Sequence, residues 1–228
     1  MKKIVALLLA LCLTLTCAGA LAAGKLTVNQ ETYMAVEGYS FIGYVYAEVE
    51  NTGDKNIEFG DGLLEILTAD GDPMDSTSIY SMYPSVLAPG EKGYVWAYQY
   101  VDEAESLEDI SDYTLTLTGK ATKEETAPRL DSSAVVTTIT NAWGDEEQVI
   151  LLTATNNTQQ TVYDFQAAVA VYDAEGKLLL VDTENTYDIG IPAGQTVEMR
   201  FSMDEDVTAY WAQNGMSPAT VESVVFAE

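Results

Sequence analysis

The sequence predicts an all-β protein built from two tandem sandwich units. Three observations predict it. Turn landmarks recur at a fixed spacing: Asn51 and Asn156 are 105 residues apart, Gly71 and Gly176 are also 105 apart, and Gly90 and Gly194 are 104 apart. Such self-similarity is the signature of a duplicated structural unit. Between the landmarks lie short runs of Val, Ile, Leu, Thr and Tyr, bounded by Gly, Asn, Asp and Pro, as strands and turns require. Amphipathic helical periodicity is nearly absent.

The chain opens with Met1-Lys2-Lys3 and an apolar run from Ile4 to Thr16, followed by Ala20-Leu21-Ala22. A basic start, an apolar run of this length and a small-residue site read as a secretory signal peptide over residues 1–22. The run is too short to span a bilayer comfortably. Both cysteines, Cys12 and Cys17, fall inside it. Cys17 would be a lipidation site only for a peptidase that accepts Thr14 and Thr16 before it. The remaining chain would hold no cysteine, so an exported protein must rest on its core and not on disulfides. This fits a bacterial extracellular protein.

The first unit is placed at residues 24–120. Its predicted strands are Tyr44 to Glu50, Leu63 to Leu67, Tyr94 to Tyr100 and Tyr113 to Gly119, with turns at Asn51–Lys55, Asp70-Gly71 and Pro89-Gly90. A polar linker with one proline occupies residues 121–130. The second unit, residues 131–228, repeats the order: Val149 to Thr155, Ala167 to Tyr172, Val197 to Met203 and Val221 to Phe226. Two short helix candidates, Asp102 to Ser111 and Glu205 to Asn214, hold matching places late in each unit. Each unit is long enough to close its own core, and each is expected to shut away its own interior.

The second unit carries Asn156-Asn157-Thr158, Val169-Ala170-Val171-Tyr172-Asp173 with Glu175-Gly176, Ile191-Pro192-Ala193-Gly194 and Phe201. This resembles the FxLYD domain, with valine at 169 and 171 where the family name has Phe and Leu. The first unit matches less, with Leu64, Ile66, Leu67 and Thr68 at those positions. The resemblance implies an immunoglobulin-like β-sandwich in an exported protein. It implies no catalytic residues.

Inventory excludes much chemistry. The chain has no histidine. A Ser-His-Asp triad, a Cys-His pair and a zinc site with nitrogen or sulfur ligands are therefore out of reach of the chain after the leader. Losing Lys2 and Lys3 with a cleaved leader leaves eight cations against 36 acids, a net charge of −28. That field opposes nucleic acid and anionic lipid. Carboxylate pairs could serve glycoside hydrolysis, but 36 acids on β surfaces give such pairs by proximity alone. Asp70, Asp72 and Asp75 lack the frame of an EF-hand loop. The acids at 102–105 and 204–206 read as loop and helix N-terminal charge. No cofactor or metal is expected.

The sharpest feature is Tyr94-Val95-Trp96-Ala97-Tyr98-Gln99-Tyr100. A strand puts Tyr94, Trp96, Tyr98 and Tyr100 on one face, the candidate ligand-binding residues. Aligned on Gly90 and Gly194, these rings match the polar Glu198, Arg200 and Ser202 and point outward. Aligned on Pro89 and Pro192, they match the apolar face and point inward, since a one-residue slip reverses the sides. Trp143 and Trp211 read as core or loop-anchoring residues. The expected function is a non-enzymatic secreted or cell-surface module, binding a protein or polysaccharide partner or acting as a spacer. It would bind no nucleic acid and insert in no membrane after cleavage. The alternatives are a carbohydrate-binding module using the aromatic strip and, further off, a carboxylate-based hydrolase.

Overall fold

The computed structural model describes residues 25–227, so the predicted signal peptide and both cysteines lie outside the described residues. The described chain is all-β with several sheets, an arrangement consistent with a β-sandwich. In its first half the strands are β1 (Leu26–Glu37), β2 (Phe41–Asn51), β3 (Ile57–Leu67), β4 (Pro73–Ile79), β5 (Val86–Leu87), β6 (Lys92–Tyr100) and β7 (Asp112–Ala121). In its second half they are β8 (Arg129–Thr140), β9 (Glu146–Thr155), β10 (Val162–Tyr163), β11 (Phe165–Tyr172), β12 (Leu178–Asn185), β13 (Gly190–Ile191), β14 (Thr196–Ser202) and β15 (Thr220–Ala227). One helix, α1 (Glu205–Gln213), precedes β15.

The duplication read from the turns recurs in the strand pairing, except that β15 also pairs β8 and joins the second half into one six-stranded sheet. In the first half β1, β2 and β6 form one sheet, and β3 carries β4 and β7 on its two sides. In the second half β8 pairs β9, β9 pairs β14, and β11 carries β12 and β15. The hairpin turns match as well. Gly71 (φ 83°) and Gly176 (φ 80°) both take the left-handed conformation that glycine tolerates. The N–H of Thr68 donates to Asp72 O at 3.0 Å, and the N–H of Asp173 donates to Lys177 O at 3.0 Å.

Asn51 and Asn156, read as turn residues, are fully buried staples. Asn51 Nδ2 donates to Lys55 O (2.8 Å) and Leu87 O (2.9 Å), while its Oδ1 accepts from Gly53 N–H (3.0 Å). Asn156 Nδ2 donates to Gln160 O (2.7 Å) and Ile191 O (2.6 Å), while its Oδ1 accepts from Thr158 N–H (2.9 Å). An amide with two donors and an acceptor ties a turn to a distant strand this way without leaving a buried polar atom unmet.

Apolar side chains gather in two clusters, but the boundary between them differs from the expected one. The first holds Val45, Ala47, Val49, Val95 and Ala97 against Ile57, Leu64 and Ile66, between the two sheets of the first half. The second holds the interior of the second half together with Met34, Val36, Tyr46 and Tyr94 of the first. The two interiors are therefore not closed separately. The β1–β2–β6 sheet is covered on both faces, and β2 is buried continuously from Val45 to Val49. β12 lies against β1, β2 and β6. The cause is legible in the side chains: the outer face of this sheet carries Met34, Val36, Tyr46 and Tyr94, which gain by burial.

One helix candidate is realised and one is not. Over 205–213 the helix forms, with Asp204 Oδ1 accepting from Asp206 N–H at 2.8 Å and Val207 and Trp211 turned into the second cluster. Over 102–111 only a three-residue 3-10 turn forms, Leu107–Asp109. Five acids crowd that stretch, and Asp109 Oδ2 takes the N–H groups of Glu105 (3.0 Å) and Ser106 (2.9 Å). Like charges and this competing side-chain acceptor oppose a longer helix. Trp143, expected to anchor a loop or core, is 89% exposed at the 141–145 turn; Trp211 is core.

Candidate functional site: an aromatic row from the seam into an open groove

The register of β6 resolves the ambiguity of the aromatic ladder. Trp96 faces Tyr46 across β2, and Arg200 faces Leu151 across β9. Tyr46 and Leu151 are 105 apart, so Trp96 is the counterpart of Arg200, as the Gly90–Gly194 alignment requires. The aromatics point away from their own half's interior. Val95 and Ala97 point into it.

What covers the row changes along its length. Tyr94 is buried at the seam between the halves, where its hydroxyl donates to Glu222 Oε2 at 2.9 Å. Trp96 is half-buried, and its Nε1 donates to Thr183 Oγ1 at 3.0 Å. Tyr98 and Tyr100 are 43% and 48% exposed. Neighbouring rings are in register: Trp96 and Tyr98 centroids are 5.9 Å apart at 19°, and Tyr98 and Tyr100 are 5.6 Å apart edge to face. Tyr44 extends the row sideways, 6.0 Å from Tyr98 and 6.2 Å from Tyr46.

The free end of the row walls an open groove of about 450 Å³, within the size range of ligand sites. Trp96, Tyr98 and Tyr100 form one wall. Tyr80, 83% exposed, and Tyr83 come from the segment after β4. Besides its aromatic residues the polar lining is serine, threonine and glutamine, with no carboxylate and no cation. Tyr94 does not line it. Sequence reasoning missed Tyr80 and Tyr83, which lie in an irregular Tyr-Ser-Met-Tyr-Pro stretch outside the predicted strands.

The seam beside the groove is polar at one end. Glu48 is buried, with Lys92 Nζ 3.1 Å from its carboxylate and the Tyr172 hydroxyl donating to Oε2 at 2.6 Å. Burial alone would raise this carboxyl, but hydrogen bonds from Tyr172, Lys92 and Asn29 and the Lys92 charge hold it below its usual value. Thr32 Oγ1 donates to Leu178 O at 2.5 Å. Ala168 and Ala170 share the strand face of Tyr172, so small side chains let the sheets approach. Burial raises the Tyr172 and Tyr94 hydroxyls, with their neighbouring charges adding to it. Burial also pushes Asp182 up to about 6, with the Glu184 charge adding and the Thr183 N–H opposing.

Negative charge lies at Tyr44, beside the row. Burial pushes Tyr44 up to about 12, with the charge and hydrogen bond of Asp204, 3.4 Å from its hydroxyl, adding to it and Tyr100 and Asp206 adding less. The acids at 204–206 thus serve as helix cap and neighbours of Tyr44. The described residues gather no group of three or more Asp, Glu, His or Cys fit to hold a metal. No described helix is long and apolar enough to cross a membrane. No protein-family model and no curated protein matches the chain.

Proposed function

We propose that the chain is a non-enzymatic exported binding module of two tandem immunoglobulin-like domains, the second of FxLYD type. Its ligand site is the groove walled by Trp96, Tyr98 and Tyr100. One observation carries the reading: the aromatic row runs out of the seam into the open, where solvent-exposed rings flank a groove of about 450 Å³. Exposed large aromatics in a cluster mark an interaction site more than a surface at rest. The matched turns, staples and strand pairings support the tandem reading. The lack of any carboxylate in the lining supports binding over carboxylate-based hydrolysis. The partner is a protein or neutral polysaccharide outside the cell.

The test is retention of the full chain without its leader on matrices of neutral polysaccharides and of immobilised peptides. Tyr98→Ala and Tyr100→Ala should each weaken retention measurably while unfolding at the wild-type temperature. Undiminished retention of both variants would move the site elsewhere. No retention of the wild-type chain on any matrix would favour a spacer.

A further inference from the structure

We propose that the groove takes an extended, lysine- or arginine-rich peptide, which adds as a strand to the free edge of β6 over Trp96–Tyr100. The inference rests on the groove being a ligand site and names the ligand's chemistry.

The backbone is the first argument. β6 is an edge strand, paired with β2 on one side. Tyr94 N–H and C=O both bond Tyr83, at 2.9 Å each, and so point away from β2. Val101 N–H, on the opposite phase, bonds Phe41 O at 2.8 Å in continuation of the β2 ladder. Alternate residues of a strand direct their backbone groups to opposite edges. Trp96 and Tyr98 therefore turn N–H and C=O toward the groove, as Tyr100 does its N–H. Among the described residues β6 is paired on this side only through the Tyr83–Tyr94 bridge. The stretch beyond that bridge spans about 13 Å at ~3.3 Å per residue, the length of a strand of about five residues, and the groove separates it from residues 77–80 at the end of β4.

The edge is also undefended. Natural edge strands carry charge, proline or a bulge that discourages pairing. β4 has Pro73 and Asp75, β12 has Asp182 and Glu184, β14 has Glu198 and Arg200, and β1 has a bulge between Val28 and Gln30. From Gly93 to Tyr100 β6 has no charge and no proline. It is aromatic where an edge is normally blunted, the pattern of a strand that receives a partner.

Charge selects the partner. A net −28 after leader loss repels a second copy of this chain and any acidic peptide. The lining has no cation to compete, and Asp204 and Asp206 act on Tyr44 beside Tyr98. Lysine and arginine side chains on alternate positions would reach the exposed Tyr80 and Tyr100 rings and this acid field.

The experiment is calorimetric titration of the full chain without its leader, at low salt. The probes are a capped decapeptide of alternating lysine and threonine, its glutamate–threonine counterpart, the lysine peptide methylated on every amide, and a neutral glucose hexasaccharide. The lysine peptide should bind, and the glutamate and methylated peptides should not. Tyr98→Pro should bind the lysine peptide roughly tenfold more weakly than Tyr98→Ala, because only proline also removes the edge N–H. Equal binding of the methylated peptide would overturn strand addition without recourse to any variant. Binding of the hexasaccharide alone, lost in Tyr98→Ala, would overturn the peptide inference and leave the groove as the ligand site. Binding of no probe would overturn both.

Discussion

Replacing Asn156 with alanine should destabilise the chain by about 3 kcal/mol. The side chain makes four bonds: Nδ2 to Gln160 O and Ile191 O, and Oδ1 from the N–H and the hydroxyl of Thr158, all between 2.6 and 2.9 Å. Each is worth about 1 kcal/mol net, which sets an upper value near 4. Thr158 is partly open to water and recovers part of its loss; the buried bond to Ile191 O is not recovered. Together these give about 2–4 kcal/mol, or roughly 5–15 °C in Tm for a chain of this size. Urea denaturation followed by tyrosine fluorescence measures it. Asn51→Ala should behave alike, since its amide spans the matching turn and strand. Asn156→Asp should be at least as costly at neutral pH, because it turns an acceptor toward two carbonyls. A change below about 0.5 kcal/mol for Asn156→Ala, the range of ordinary surface substitutions, would refute the staple.

Tyr172→Phe removes one hydrogen bond to the buried Glu48, costs about 1–2 kcal/mol, and raises the Glu48 carboxyl. A folded value below the unfolded one gives stability above the usual carboxylate range that is lost as pH falls, so the variant's acid transition should begin at higher pH. Asp182 has the opposite sign: its folded value of about 6 exceeds the usual 3.8, so stability present below pH 4 is lost as pH rises through 6. Asp182→Asn should therefore be more stable than wild type at pH 7, by of order 2 kcal/mol, and show no gain at pH 4. Denaturation curves at the two pH values check the sign. Ala170→Phe overfills the contact between the halves and should cost about 1–3 kcal/mol, read by thermal unfolding.

The duplication was legible because turn chemistry is local. Gly71, Gly176, Asn51 and Asn156 announce themselves by type and spacing. The seam was not legible, because alternation along a strand tells which residues share a face but not what covers that face. Tyr94 and Tyr98 are chemically alike, share one face with Trp96 between them, and are 4% and 43% exposed only because β12 and β15 stop between them. β1 was missed for the same reason. Its Thr32 and Gln30 are polar by type, yet both meet Leu178 backbone groups across the seam. The groove wall from Tyr80 and Tyr83 lies in an irregular segment, where neither alternation nor turn chemistry tells which way a side chain points.

Everything said of the row depends on the second half covering its inner end. The chain has three tryptophans, one in each setting: Trp143 in solvent, Trp211 in the core and Trp96 at the seam. Hydrogen exchange of their indole N–H signals by NMR separates the three. Trp143 should exchange at the rate of a free indole, while Trp96 and Trp211 are protected and Thr183→Val speeds Trp96 alone. A Trp96 signal exchanging as fast as Trp143 in the wild-type chain would mean that the halves do not dock as described.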